Sequence, residues 1–211
     1  MFGDLRLWIT EIARYNPRLD LIGDPPERWP RRHIVDCLSL LPVLDALGSK
    51  RLLDIGSGAG LPGLILAMAR PDLQITLCEP SGRRAAVLQT VSLLLEPRGP
   101  AVDQRQLSEL PAGTWDTCTA RAVFPPGSPL LAEALRCCSP GGRLLLQRRG
   151  RAAAAAEGKA ARESGLCAAW ELCGSVTEAA TAPAVGAGAA TATANPDAGG
   201  GEPCILMLRV P

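Results

Sequence analysis

Apolar residues recur along this chain at two spacings, and the spacing changes element by element. Leu5, Trp8, Ile9, Ile12 and Tyr15 return at helical intervals with polar residues between them, which predicts a helix over residues 4–15. Asn16-Pro17 is expected to stop it, because a proline pushes the residue before it out of the helical region. Residues 19–32 are rich in Pro and Arg and read as a loop. Ile34, Leu38, Leu41 and Leu44 predict a second helix over 33–47, closed by Gly48. Short apolar runs then alternate with helical ones. Strands are expected at 51–55, 73–78, 101–103, 115–119 and 143–147, and helices at about 61–70, 83–95 and 129–138. Pro71 ends the first of these helices, residues 106–110 form a helical turn, and Pro140-Gly141-Gly142 reads as a turn.

Strands alternating with helices in this way give a mostly parallel sheet with helices on both faces. The C-terminal part differs. A helix opens at 152–156 on alanine propensity alone. Residues 166–173 and 204–210 read as strands that form an antiparallel hairpin at the sheet edge. The segment at about 174–203 is Ala, Gly, Thr and Pro without periodicity, the composition of a disordered loop, which loop-closure entropy tolerates. The expected fold class is α/β: a doubly wound, mostly parallel seven-stranded sheet with an antiparallel C-terminal hairpin. Residues 1–48 form an N-terminal helical cap on a domain spanning 49–211.

The candidate chemistry sits where the first strand breaks into glycines, RLLDIGSGAGLPG over residues 51–63. Glycines permit positive φ and let a ligand approach bare backbone. Gly58, Gly60 and Gly63 satisfy the dinucleotide spacing, a weak signal alone. Asp54, Gly56, Gly58 and Gly60 also satisfy the tighter pattern of S-adenosylmethionine (SAM) sites, with an acid two residues before the first glycine. A carboxylate there suits a cationic methyl donor and repels a pyrophosphate.

Composition narrows the field. Charged residues are 20% of the chain, aromatics 3%, and the net charge is +1, so a polyanion would have to be met by local basic clusters. Of the eight cysteines none forms a C-x-x-C, and there is a single histidine, His33, so no metal site is expected. Cys78, Cys118 and Cys204 lie in apolar runs and read as buried hydrophobes in a reducing, cytoplasmic compartment. No signal peptide or membrane span is expected.

Other candidates follow from topology. Glu79 ends the second strand, where an acid hydrogen-bonds ribose hydroxyls of either ligand class, or is simply a solvated strand-end acid. Gln106 and Leu107 follow the third strand beside the expected adenine position, although by themselves they are uninformative. Arg121 follows the fourth strand, facing the crevice, where it grips a carboxylate or phosphate or pairs with a nearby acid. His33 begins a helix among Arg28, Arg31 and Arg32, and Arg148, Arg149 and Arg151 follow strand five. These clusters are either solvated faces or a joint rim for RNA phosphate. No catalytic acid or base is identified.

These residues resemble the bacterial small-subunit ribosomal RNA guanine-N7 methyltransferases, the RsmG or GidB (glucose-inhibited division protein B) family. The resemblance is carried by Trp8, YNPRLDLI over 15–22, RHIVDCL over 32–38, DIGSGAGLPG over 54–63, Pro71, Leu77-Cys78-Glu79, Arg83-Arg84 and Arg121-Ala122. It implies a SAM-dependent methyltransferase with a Rossmann-like fold, acting on N7 of a guanine in 16S ribosomal RNA. It also implies that Gly56 and Leu61 line the donor site, Glu79 holds the ribose, Gln106 and Leu107 flank the adenine, and Arg121 completes the pocket. Arg32, His33 and Arg149 would meet RNA of the small ribosomal subunit. The chain is expected to act as a monomer. The alternatives are a SAM-binding module without activity, an NAD-type oxidoreductase, and a methyltransferase for a small molecule.

Overall fold

A computed structural model describes residues 1–173 and 203–211; the expected low-complexity loop at about 174–203 lies almost wholly outside the described residues. The N-terminal helices are α1 (Phe2–Leu19), α2 (Val35–Leu38) and α3 (Leu41–Leu47). The strands are β1 (Arg51–Ile55), β2 (Gln74–Cys78), β3 (Ala101–Asp103), β4 (Trp115–Arg121), β5 (Cys138–Arg149), β6 (Ala169–Cys173) and β7 (Pro203–Arg209). Between them run α4 (Gly63–Ala69), α5 (Gly82–Leu94), α6 (Leu130–Cys137) and α7 (Arg151–Glu163).

The seven strands form one sheet in the order β3-β2-β1-β4-β5-β7-β6. The first five pair in parallel, and β7 runs antiparallel between β5 and β6. The sheet reverses its winding between β1 and β4, which opens a crevice at the carboxyl ends of these strands.

Strand alternation divides the core in two. Leu52 of β1 and Leu145 of β5 belong to a cluster with Trp8, Ile12, Trp29 and Ile34 of the N-terminal segment, Leu64 of α4 and Leu88 of α5. Leu53, Ile55, Leu144 and Leu146 point the other way, against Leu131 of α6 and Ala154 of α7. The N-terminal helices are thus continuous with one core rather than a separate one. With few aromatics, that side is anchored by Trp8 and Trp29, both fully buried. Cys78, Cys118 and Cys204 are buried, as their apolar surroundings predict.

Several elements differ from their expected form. The first helix does not stop at Asn16-Pro17: Pro17 lies inside α1, which ends at Asp20 in the left-handed conformation. The proline removes one hydrogen bond in the final turns. Asn16 ties the following loop back onto the helix end, its Oδ1 accepting from Leu21 and Ile22 N–H and its amide donating to the Ile22 carbonyl. The segment read as a loop holds a 3-10 turn (Pro26–Arg28) and a π-helical turn (Pro30–Ile34). The helix expected over 33–47 is interrupted at Ser39-Leu40, just before Pro42. Pro140-Gly141-Gly142 lies within β5 as a bulge: Trp115 pairs with Cys138 but Thr117 with Arg143. A Cβ on Gly142 would lie 2.8 Å from the Ser139 carbonyl, so only glycine fits that bulge.

Candidate functional site

Three glycines of the turn after β1 take positive φ: Gly56 (66°), Gly58 (54°) and Gly60 (86°). Their reasons differ. A Cβ on Gly56 would lie 2.8 Å from a methyl of Val123, in the loop after β4. One on Gly60 would strike Leu64, and one on Gly63 would strike Leu77 and Asp54. At Gly58 the nearest atom would be the Gly56 carbonyl, at 3.8 Å. Three of the four glycines therefore admit neighbouring protein groups, and only Gly58 leaves bare backbone facing open space. The turn is pinned to β2, with Gly56 and Ser57 N–H both donating to the Cys78 carbonyl.

Two acids flank this turn. Asp54 is fully buried. Its Oδ2 accepts the Gly63 N–H at the start of α4 at 3.0 Å, and its Oδ1 has no hydrogen-bond partner among the described residues. Burial pushes its carboxyl up to about 7, against the opposing pull of the Gly63 N–H and the Arg121 charge. Glu79 is 5% exposed. Its Oε2 accepts the Gly58 N–H at 2.9 Å and its Oε1 the Ser81 N–H at 3.0 Å, which leaves lone pairs on both oxygens.

The remaining candidates lie around this centre. Leu61 is buried beside the turn. Gln106 is exposed and caps the turn Leu107–Glu109, where its N–H donates to Glu109 Oε2 at 2.7 Å. Leu107 is buried in the same cluster as Ile55 and Cys78. A cavity of about 210 Å³ is lined by Ser49, Asp116, Thr117, Ser139 and Arg143. It lies at the amino ends of the strands, away from the crevice.

Arg121 is the last residue of β4 rather than the first beyond it, and the chain turns sharply at Ala122, whose φ is 54°. Its guanidinium is held from two sides: Nε donates to Asp36 Oδ2 at 3.0 Å, and Nη2 lies 2.6 Å from His33 Nδ1. The far side of the His33 ring, Nε2, lies 2.9 Å from Asp24 Oδ2, while Arg32 donates to Asp24 Oδ1 at 2.6 Å. Gln147 Nε2 donates to the Asp36 carbonyl at 2.9 Å. The ion-pair alternative for Arg121 is thus realised with Asp36. Sequence reasoning singled out neither Asp24 nor Asp36 as a site residue. The three-residue step from His33 to Asp36, which puts both on one helical face, was the available signal.

The two basic clusters fare differently. Arg28, Arg31 and Arg32 are exposed, and so are Arg149 and Arg151. Arg148 turns inward instead, donating to both oxygens of buried Glu157 at 2.9 Å and lying over the Phe124 ring. Among the described residues no helix is long and apolar enough to cross a membrane.

Comparison with known proteins adds to this geometry. The family model described as GidB, rRNA small subunit methyltransferase G, matches residues 2–168. A ribosomal RNA small subunit methyltransferase G from Sorangium cellulosum is 41% identical over 123 residues, 55% of this chain and 51% of that protein. One from Kineococcus radiotolerans is 40% identical over 159 residues, 72% of this chain and 61% of that protein. The matched part thus spans about half to three fifths of these relatives' length. Among solved structures, the tRNA (m1A58) methyltransferase TrmI from Aquifex aeolicus superposes with a TM-score of 0.52 at 11% identity. It covers 82% of this chain and 68% of its own, a likeness of fold.

Proposed function

The chain belongs to the GidB family, rRNA small subunit methyltransferase G, and from that premise we propose that it transfers a methyl group from SAM to N7 of a guanine in 16S ribosomal RNA. The observation that carries the reading is the setting of Gly58. Its bare Cα faces open space, its N–H is held by the acid just past the neighbouring strand, and the strand before the turn carries a buried acid with an unpartnered oxygen.

The residues present fit such a donor. Asp54 Oδ1 is an orphaned buried acceptor, which suits a cationic partner. Glu79 keeps lone pairs that accept from ribose hydroxyls while its other contacts hold the turn. Gly56, Gly60 and Leu61 shape the turn, and Gln106 and Leu107 close the adenine side. Arg121, fixed by Asp36 and His33, forms the wall at the end of β4. A nicotinamide dinucleotide fits less well, since its pyrophosphate would meet Asp54.

When bound, SAM supplies an electrophilic methyl group on a sulfonium. Guanine N7 already offers a free lone pair, so accepting that methyl needs no general base. The task left to this chain's side chains is placement, which by itself supplies a large share of a rate. The RNA would meet the exposed arginines on the rim: Arg28, Arg31 and Arg32 from the N-terminal cap (1–48), and Arg149 and Arg151 from the catalytic domain (49–211). We place the reaction in the cytoplasm, with the chain acting as a monomer.

The test is mass mapping of ribosomal RNA. Small subunits from cells lacking this protein, incubated with it and SAM, should gain N7-methylguanine at one position. No binding at millimolar SAM, or no methyl gained, overturns the reading.

A further inference from the structure

Trp8 Nε1 donates to the Ala59 carbonyl, inside the glycine turn, at 2.8 Å. The Trp8 and Trp29 rings lie 5.7 Å apart. Trp29 Nε1 donates to the Asp24 carbonyl at 2.6 Å. The Asp24 carboxylate holds Arg32 and His33, His33 meets Arg121, and Arg121 meets Asp36. An unbroken series of contacts therefore runs through the N-terminal segment from the turn after β1 to the last residue of β4. These are the two strands that flank the crevice.

The chemistry of the contacts sets the state of the His33 ring. A guanidinium offers no lone pair, so Nδ1 must accept from Arg121 and carries no proton. The ring proton then sits on Nε2 and is donated to Asp24. The charged groups facing the ring are Asp24 from the loop after α1, Asp36 from α2 and Arg121 from β4. A second proton would have to enter on Nδ1, against the guanidinium.

We propose that His33 is a positioning residue: its neutral ring, protonated on Nε2, locks the basic turn of Arg28, Arg31 and Arg32 onto the end of β4, in place of a direct contact with RNA. The inference rests on the methyltransferase reading for its consequence, and on geometry alone for the lock. The arginines of the turn then keep a fixed register with the donor crevice, and a proton on Nδ1 releases them.

His33 is the chain's one histidine, so ¹⁵N-histidine labelling reports on it unambiguously. The expected spectrum at neutral pH has a bare Nδ1 and a protonated Nε2, and the midpoint of titration lies below 6.5 and rises in Arg121→Ala. A proton on Nδ1 at neutral pH, or a midpoint indifferent to Arg121→Ala, overturns the lock. With unmethylated small subunits as substrate, His33→Leu should raise KM for the subunit about tenfold or more, the scale of removing one charge-assisted hydrogen bond. SAM affinity should stay within about twofold. His33→Asn places Oδ1 where Nδ1 was, gives up the donation to Asp24 and does not titrate. It should recover part of KM and remove the loss of activity on the acid side of the wild-type midpoint. Equal KM in all three proteins, an Asn variant as poor as Leu, or an acid loss that persists in the Asn variant overturns the role. If the wild-type protein transfers no methyl group, the methyltransferase reading falls, and the labelling experiment still decides the lock.

Discussion

Glu79 Oε2 accepts the Gly58 N–H at 2.9 Å, so the acid that ends β2 holds the one glycine of the neighbouring turn that faces open space. The same carboxylate supports the turn and faces the proposed ribose. Glu79→Gln keeps the shape but sets an amide donor against a backbone N–H. SAM affinity should fall by about ten- to a hundredfold, corresponding to about 1.5–3 kcal/mol for a hydrogen bond to a charged group. Calorimetric titration checks this; unchanged affinity would make Glu79 a support for the turn alone.

Gly56 and Gly58 should separate stability from binding. Gly56→Ala sets a methyl group 2.8 Å from Val123 at a positive φ, so overpacking should add about 1–3 kcal/mol to the backbone strain. Gly58→Ala meets nothing closer than 3.8 Å and should cost only the left-handed strain, about 1–2 kcal/mol. It should nevertheless lower SAM affinity more than Gly56→Ala does, because its methyl group occupies the approach to the turn. Urea denaturation and SAM titration of both variants give the two rankings.

Asp54 should make stability fall with rising pH. Its carboxyl titrates near 3.8 when unfolded and at about 7 when folded, so between these values the native state holds more protons. Its contribution is fully present below the lower value and is lost as pH rises through the upper one. Asp54→Asn removes this slope, so the difference in unfolding free energy between wild type and variant should change steadily across that window. A cationic donor favours the ionised carboxylate, and SAM affinity should therefore rise with pH through about 7. A flat difference, or affinity indifferent to pH, contradicts this account.

The buried pair of Arg148 and Glu157, between α7 and β5, should be costly to break from one side. Both hydrogen bonds are 2.9 Å, and the side chains are 10% and 3% exposed. Glu157→Ala leaves an uncompensated guanidinium and should cost about 3–5 kcal/mol, whereas replacing both partners with apolar residues should recover most of it. Thermal denaturation of the single and double variants decides.

Arg31 and Arg149 are both exposed, one in each of the two basic clusters. Charge reversal at either should raise KM for the small subunit and make binding less dependent on salt, with the logarithmic slope falling by about one unit for each phosphate that is no longer neutralised. SAM affinity should not change. If the substrate were instead a small molecule, neither substitution would move KM.

The succession of strands and helices along the chain was readable because each step is local. Runs such as Leu52-Leu53 and Leu144-Leu145-Leu146 are apolar on both faces, which only a sheet covered on both sides satisfies. The helix starts and stops were less readable. Pro17 looked terminal because a proline disfavours the helical conformation of the residue before it. Beyond it the helix end is tied to the loop by Asn16 bonding to Leu21 and Ile22, an arrangement that exists only once that loop has folded back.

The chain's own pattern determined the seven-stranded architecture, the glycine turn and the pair of acids beside it, because periodicity, turn chemistry and strand-end placement act over a few residues. Only the tertiary structure decided why Gly56 must be glycine and what holds Arg121. Val123 reaches Gly56 from another strand's loop, and Arg121 finds Asp36 and His33 at separations of 85 and 88 residues. Partners so distant are chosen by the packing of the N-terminal helices onto the sheet, and no local spacing in the sequence encodes that choice.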